Sequence, residues 1–168
     1  MKKYSQLLLG FAVILVGLLG ISSQAHAVTH YVQSSTPTIF VHGWGSSSHA
    51  EEKMANAARD AGVTKTIVRA NVDRKGKVTF NHQIPANAVN PIVEVNLEDN
   101  KLSAYQDDYT QGYHHGGGYV KNVVLALEKQ HHYKQINLVG HSMGNLEIIN
   151  YINDNVNDKS LPQVAYLV

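Results

Sequence analysis

The feature that most constrains this chain is a tight turn joining two elements of different periodicity. Ile136, Leu138 and Val139 form a short apolar run, which predicts a buried strand. The run passes directly into Gly140-His141-Ser142-Met143-Gly144. Helical spacing follows, with Leu146, Ile149, Ile152 and Val156 on one face. A strand that feeds a helix through so short a turn forces the backbone into a strained bend, where side chains at Gly140 or Gly144 would strike neighbouring backbone. Ser142 then projects from the turn at a helix N-terminus, whose dipole favours developing negative charge. That makes Ser142 a candidate nucleophile, and the glycines and His141 its support.

The rest of the chain agrees with a layered α/β arrangement. Thr38-Ile39-Phe40-Val41 predicts a buried strand that ends at His42-Gly43-Trp44-Gly45. Ser48 and Glu51 have the spacing of a capping box. Met54, Ala57, Ala58 and Ala61 then recur at helical spacing up to Gly62. Thr66-Ile67-Val68 opens a second strand through Ala70 and Val72. Val120, Val123, Val124 and Leu127 mark a further helix, and Val164 to Val168 a final strand. Alternating strands and helices predict a mainly parallel sheet with helices on both faces and right-handed crossovers.

The middle reads differently. Lys75-Gly76-Lys77 suggests a hairpin turn, and Val93, Val95 and Leu97 alternate with Glu94, Asn96 and Glu98 as in a half-exposed strand. Residues 73–118 are therefore expected to form an antiparallel excursion and loop outside the main sheet. Gly116-Gly117-Gly118 is read as a flexible lead into the next helix. It is not a phosphate cradle, because no strand immediately precedes it and the lysine of such loops is missing.

The N-terminus has the composition of a secretory signal. Lys2 and Lys3 precede an unbroken apolar or glycine run from Leu7 to Ile21, and Ala25-His26-Ala27 supplies small residues at the cleavage positions. Residues 1–27 are expected to be removed, residues 28–36 to act as a tether, and residues 37–168 to form the domain. The apolar run is shorter than the ~20 residues of a comfortable membrane span, so no stable anchor is expected after cleavage. A net charge of +1 implies no broad attraction to nucleic acid. The chain has no cysteine, which excludes disulfides, thiol nucleophiles and cysteine metal sites.

Phe40-Val41-His42-Gly43-Trp44-Gly45, Gly76-Lys77-Val78, Asn90-Pro91-Ile92-Val93, Lys121-Asn122-Val123, Gly140 to Asn145, and Asn157 to Pro162 together resemble the α/β-hydrolase superfamily. The resemblance is closest to bacterial cell-surface hydrolases grouped as a domain of unknown function. It implies hydrolysis of a small-molecule ester or lipid outside the membrane, through a Ser-His-Asp triad and without a cofactor. It also implies an oxyanion hole made by the backbone N–H groups of Trp44 and Met143. Gly43 and Gly45 would let their loop approach Ser142, and His42 is expected to fix that loop by hydrogen bonds.

The chain departs from the family pattern after the serine. No histidine follows His141, and the later carboxylates Glu147, Asp154 and Asp158 fall on or just after the helix that follows the turn. Neither the base nor the acid of a triad is in its expected place. The chain is therefore expected to be C-terminally truncated relative to the family, nearly inactive alone, and open to completion by a C-terminal fragment. His82 or the His114-His115 pair offers a substitute base. The other readings are a non-catalytic binding protein on a hydrolase scaffold, and a metal site at His114-His115 or His131-His132. The metal reading is the weaker, because adjacent side chains diverge; no metal is expected.

Overall fold

The computed structural model describes residues 31–168. The secretory segment expected over 1–27 and the first residues of the tether lie outside the described residues. The unit Val32–Val168 contains β1 (Thr38–Val41), α1 (Glu52–Asp60), β2 (Ile67–Val72), β3 (Val78–Phe80), β4 (Ile92–Leu97), α2 (Tyr109–Glu128), β5 (Gln135–Gly140), α3 (Met143–Asp154) and β6 (Gln163–Leu167).

The strands form one sheet in the order β3-β2-β4-β1-β5-β6. Every pairing is parallel except β2 with β3. Alternate side chains serve opposite faces. Ile39, Val41, Val93, Val95, Ile136 and Leu138 pack with Val120, Val123, Val124 and Leu127 of α2 and Ile148 and Tyr151 of α3. Phe40 and Ile92 pack with Ala55 of α1 on the other face. Helices thus cover both faces, as the alternation of elements predicts. Full burial of side chains such as Ile136 and Leu138 contributes about 1.5–3 kcal/mol each.

The expected antiparallel excursion over 73–118 is corrected. Only β3 is antiparallel, hairpinned to β2 through a turn in which Asp73 Oδ1 accepts from the N–H groups of Lys75 and Lys77. β4 lies inside the sheet, parallel to β1 and β2. Its polar residues imitate a solvent face but point within the sheet, where Asn96 is hydrogen-bonded and Glu94 has only a loose ion pair, its Oε1 lacking a partner among the described residues. Glu94 is buried with Arg69 at 3.8 Å, and Asn96 donates to Asn71 and accepts from the Ser48 N–H. Nor is Gly116-Gly117-Gly118 a flexible lead, for α2 begins at Tyr109, capped by Asp108, and takes the glycines into its interior.

Three smaller expectations also change. The Ser48–Glu51 capping box does not form; Ser47 caps a short 3-10 turn and Ser48 is buried. In α1 it is Ala55 that enters the core, while Met54 is exposed. The described part of the tether is stitched down: Asn90 accepts from the Ser34 N–H, and its side-chain amide donates to the carbonyls of Val32 and Val63.

α3 carries two apolar stripes. Met143, Ile148 and Tyr151 face the core. The stripe marked by the helical spacing turns mostly outward, with Leu146, Ile149 and Val156 exposed and Ile152 packed against the core. Beside it β6 is an edge strand, and Tyr166, Leu167 and Val168 are exposed as well.

Candidate active site

β5 ends at Gly140 and α3 begins at Met143, so the chain reverses within two residues. Ser142 carries the strain of that reversal, at φ 54° and ψ −119°, a region costing non-glycine residues about 1–3 kcal/mol. The close packing explains both flanking glycines. A Cβ on Gly140 would lie 2.8 Å from the Asn145 nitrogen, and one on Gly144 would collide with the Val41 carbonyl oxygen. Asn145, which the sequence offered only as the end of a motif, donates from its amide to the Gly140 carbonyl at 3.0 Å and braces the turn. Ser142 itself is exposed.

The loop after β1 lies against this turn. A Cβ on Gly43 would stand 3.0 Å from Ser142 Cβ and 3.5 Å from Oγ. The Gly45 N–H is spent on the Asn100 carbonyl at 2.7 Å, and Gly45 takes φ +66°. Among the described residues, the N–H groups of Trp44 and Met143 donate to no protein acceptor. Both therefore remain unpaired among the described residues. The Trp44 ring is half exposed, with the Lys101 ammonium 5.2 Å from its centroid. Lys101 and Asn100 were missed in the sequence because they follow β4, which was placed outside the sheet.

His42 is fully buried. Its Nε2 accepts from the Leu97 N–H at 3.1 Å, so its Nδ1 carries the proton and donates to the Gly43 carbonyl at 2.9 Å. Burial holds its pKa below the ordinary value of 6.5. A neutral imidazole with both nitrogens engaged fixes the loop and has no lone pair left for Ser142. His141 projects to the other side, with Nδ1 3.7 Å from the buried Glu51 carboxylate. Burial raises the pKa of Glu51, against the opposing pull of His141.

The remaining sequence candidates are not gathered at Ser142. His114 pairs with Asp154 at 2.8 Å, and His115 meets the Tyr119 hydroxyl at 2.8 Å. His131 bonds the Ile84 carbonyl, His132 lies near Glu128, and His82 is exposed. Asp158 is held by Ser160 and Lys121, and Glu147 is wholly buried. Among the described residues no side chain hydrogen-bonds to Ser142 Oγ, and no three histidine or acidic residues form a metal-binding group. A groove of about 640 Å³ lies away from the serine, between the C-terminal part of α3 and β6, and is lined by Ile152, Val156, Leu161 and Val164 among others.

A parallel sheet that delivers a strained serine from the β5–α3 turn, beside a glycine-rich loop from the neighbouring strand, defines an α/β-hydrolase fold. Residues 25–168 match the family described as alpha/beta hydrolase of unknown function (DUF915), and the chain belongs to that family. Two solved structures are similar. The product of gene lin2722 of Listeria innocua is 26% identical, with a TM-score of 0.65 over 78% of this chain and 49% of that one. A protein of Lactobacillus plantarum WCFS1 described as a cell surface hydrolase is 18% identical, with a TM-score of 0.66 over 79% of this chain and 51% of that one. The chain thus spans about half the length of the solved relatives it matches. No curated protein matches it. Among the described residues no helix is long and apolar enough to cross a membrane.

Proposed function

We propose that this chain carries the nucleophile and the oxyanion hole of a serine hydrolase acting on carboxylic esters or lipids at the cell surface. Ser142 Oγ attacks the acyl carbon, and the N–H groups of Trp44 and Met143 receive the oxyanion. The observation that carries this reading is the Ser142 backbone at φ 54°, held against Gly43. Strain of this kind persists where it serves a function, and two amide donors unpaired among the described residues, those of Trp44 and Met143, support the reading. Action outside the membrane is supported by the leader-like composition of residues 1–27 and by the relative described as a cell surface hydrolase.

The base and acid are proposed to come from polypeptide that packs on the β6 edge. A strand added parallel to β6 through a right-handed crossover places its helix beside α3. That is the side where Leu146, Ile149 and Val156 are exposed and the groove lies. The test is prolonged labelling of the purified chain with a fluorophosphonate probe, followed by peptide mapping. The expected result is slow modification at Ser142, absent in Ser142→Ala. Modification spread over other hydroxyls, with none at Ser142, overturns the reading.

A non-catalytic binding scaffold is the second reading, favoured by the lack of any histidine on Ser142 Oγ among the described residues. It expects that same negative result, together with saturable ligand binding that survives Ser142→Ala.

A further inference from the structure

Glu147 lies on α3, five residues after Ser142, and is 0% exposed. Neither of its carboxyl oxygens has a hydrogen-bond partner among the described residues. The side chain occupies a notch left by Gly116 of α2, where a Cβ would lie 2.6 Å from Glu147 Cγ and 2.6 Å from Oε1. At the next residue the helix backbones touch: a Cβ on Gly117 would stand 2.8 Å from the Tyr151 nitrogen and 3.1 Å from the Glu147 carbonyl oxygen. Two of the three glycines that the sequence offered as a flexible lead are thus the contact on which the Ser142 helix rests. Glu147 is wedged into it.

The surroundings offer an anion nothing. Among the described residues no cation lies within salt-bridge distance of Glu147, and the charged group that acts on it is Asp99, of like sign. On α2, His115 and Tyr119 bond to each other, and the Tyr119 hydroxyl continues to the Arg74 carbonyl and towards Asp99. His42, at the end of β1, is engaged by Gly43 and Leu97. Tyr151, one turn along α3, is itself held protonated, with its pKa pushed up to about 12 by burial. A neutral acid is tolerated in such a place, whereas a carboxylate is not unless it finds water or a cation.

We propose that Glu147 positions the Ser142 helix as a neutral acid, and that losing its proton drives it from the Gly116 notch, loosening α3 from α2. The seat of the serine is then proton-gated: fastened when Glu147 is protonated and released in alkali. Burial first, and Asp99 second, push the Glu147 pKa up to about 8 from an ordinary 4.5. A carboxyl raised on folding favours the closed state fully below pH 4.5. That advantage is lost progressively as pH rises, and the loss levels off above about pH 8.

The consequence for catalysis rests on Ser142 being the nucleophile, but the test needs no turnover, so the two readings fail separately. Native-state hydrogen exchange of the full chain is followed from pH 5 to pH 9, with protection factors corrected for intrinsic rates. Protection in the contact region of α2 and α3 is expected to fall about tenfold per pH unit up to about pH 8. In Glu147→Gln, which cannot ionise, it is expected to stay flat. Carboxyl-carbon NMR of the wild-type chain gives a second measurement that needs no variant: one glutamate should titrate near pH 8, and its resonance should be missing from Glu147→Gln. Matching exchange profiles in the two proteins, or the absence of any glutamate resonance that titrates near pH 8 and is missing from Glu147→Gln, would overturn the proposal.

Discussion

Gly43 stands so near Ser142 that no side chain fits between them: a Cβ on Gly43 would sit 3.0 Å from Ser142 Cβ. The nearest parts of both partners are main chain or the first side-chain atom, so neither can swing aside. Gly43→Ala should therefore push the loop away from the serine and separate the Trp44 N–H from the Met143 N–H. Loss of one oxyanion donor costs about 100- to 1,000-fold in rate. Fluorophosphonate labelling of Ser142 should slow by an amount in that range while the circular dichroism spectrum is unchanged. Labelling at the wild-type rate would argue that Trp44 takes no part.

His42 holds the same loop from beneath. Replacing it with Ala orphans the Leu97 N–H and the Gly43 carbonyl and leaves a cavity, at about 1–3 kcal/mol for each buried group left unpaired. Because its folded pKa is lowered by burial, the wild-type protein should hold His42's contribution above pH 6.5 and lose it as pH falls below that value. Urea denaturation at pH 7.5 and pH 5.5 checks this. The variant should be less stable at both pH values and should lack the part of the acid-side slope that His42 contributes.

Ser142 pays for its placement in backbone strain. Glycine adopts that region freely, so Ser142→Gly should stabilise the fold by about 1 kcal/mol while abolishing labelling. A lower melting temperature in the variant would mean that the serine side chain supplies more holding contacts than the strain costs.

The outer stripe of α3 and the β6 edge should behave as an uncovered interface. Replacing Ile149 with Gln and Tyr166 with Thr removes exposed apolar surface and should change stability by no more than about 0.5 kcal/mol per site. It should also reduce concentration-dependent association in sedimentation experiments. If the stripe were part of the core, the double variant would fail to fold cooperatively.

The Ser142 turn and the His42–Gly45 loop were legible because each combines a local glycine pattern with an apolar run on one side. The α2 core stripe from Val120 to Leu127 was legible for the same kind of reason, a clean period. β4 misled because Glu94 is polar yet buried and Asn96 half-buried, facing Arg69 and Asn71 across the sheet. One sequence cannot distinguish such internal pairing from exposure to water. The inner face of α3 was obscured for a related reason. Its contact residue is an acid, Glu147, set against a glycine of another helix, while the more regular apolar stripe faces outward. Only the fold brings Gly116 to Glu147.

The central claim is that Ser142 is poised for acyl transfer but has no base among the described residues. It is tested most directly by p-nitrophenyl butyrate hydrolysis with the purified chain and with Ser142→Ala, followed well beyond one equivalent of product. A serine without its triad partners retains only ~1,000- to 10,000-fold over water. The account predicts slow release that depends on Ser142, without sustained rapid turnover. Robust turnover abolished by Ser142→Ala would contradict it, and would require a histidine already present, such as His82 or one of the His114-His115 pair, to serve as the base.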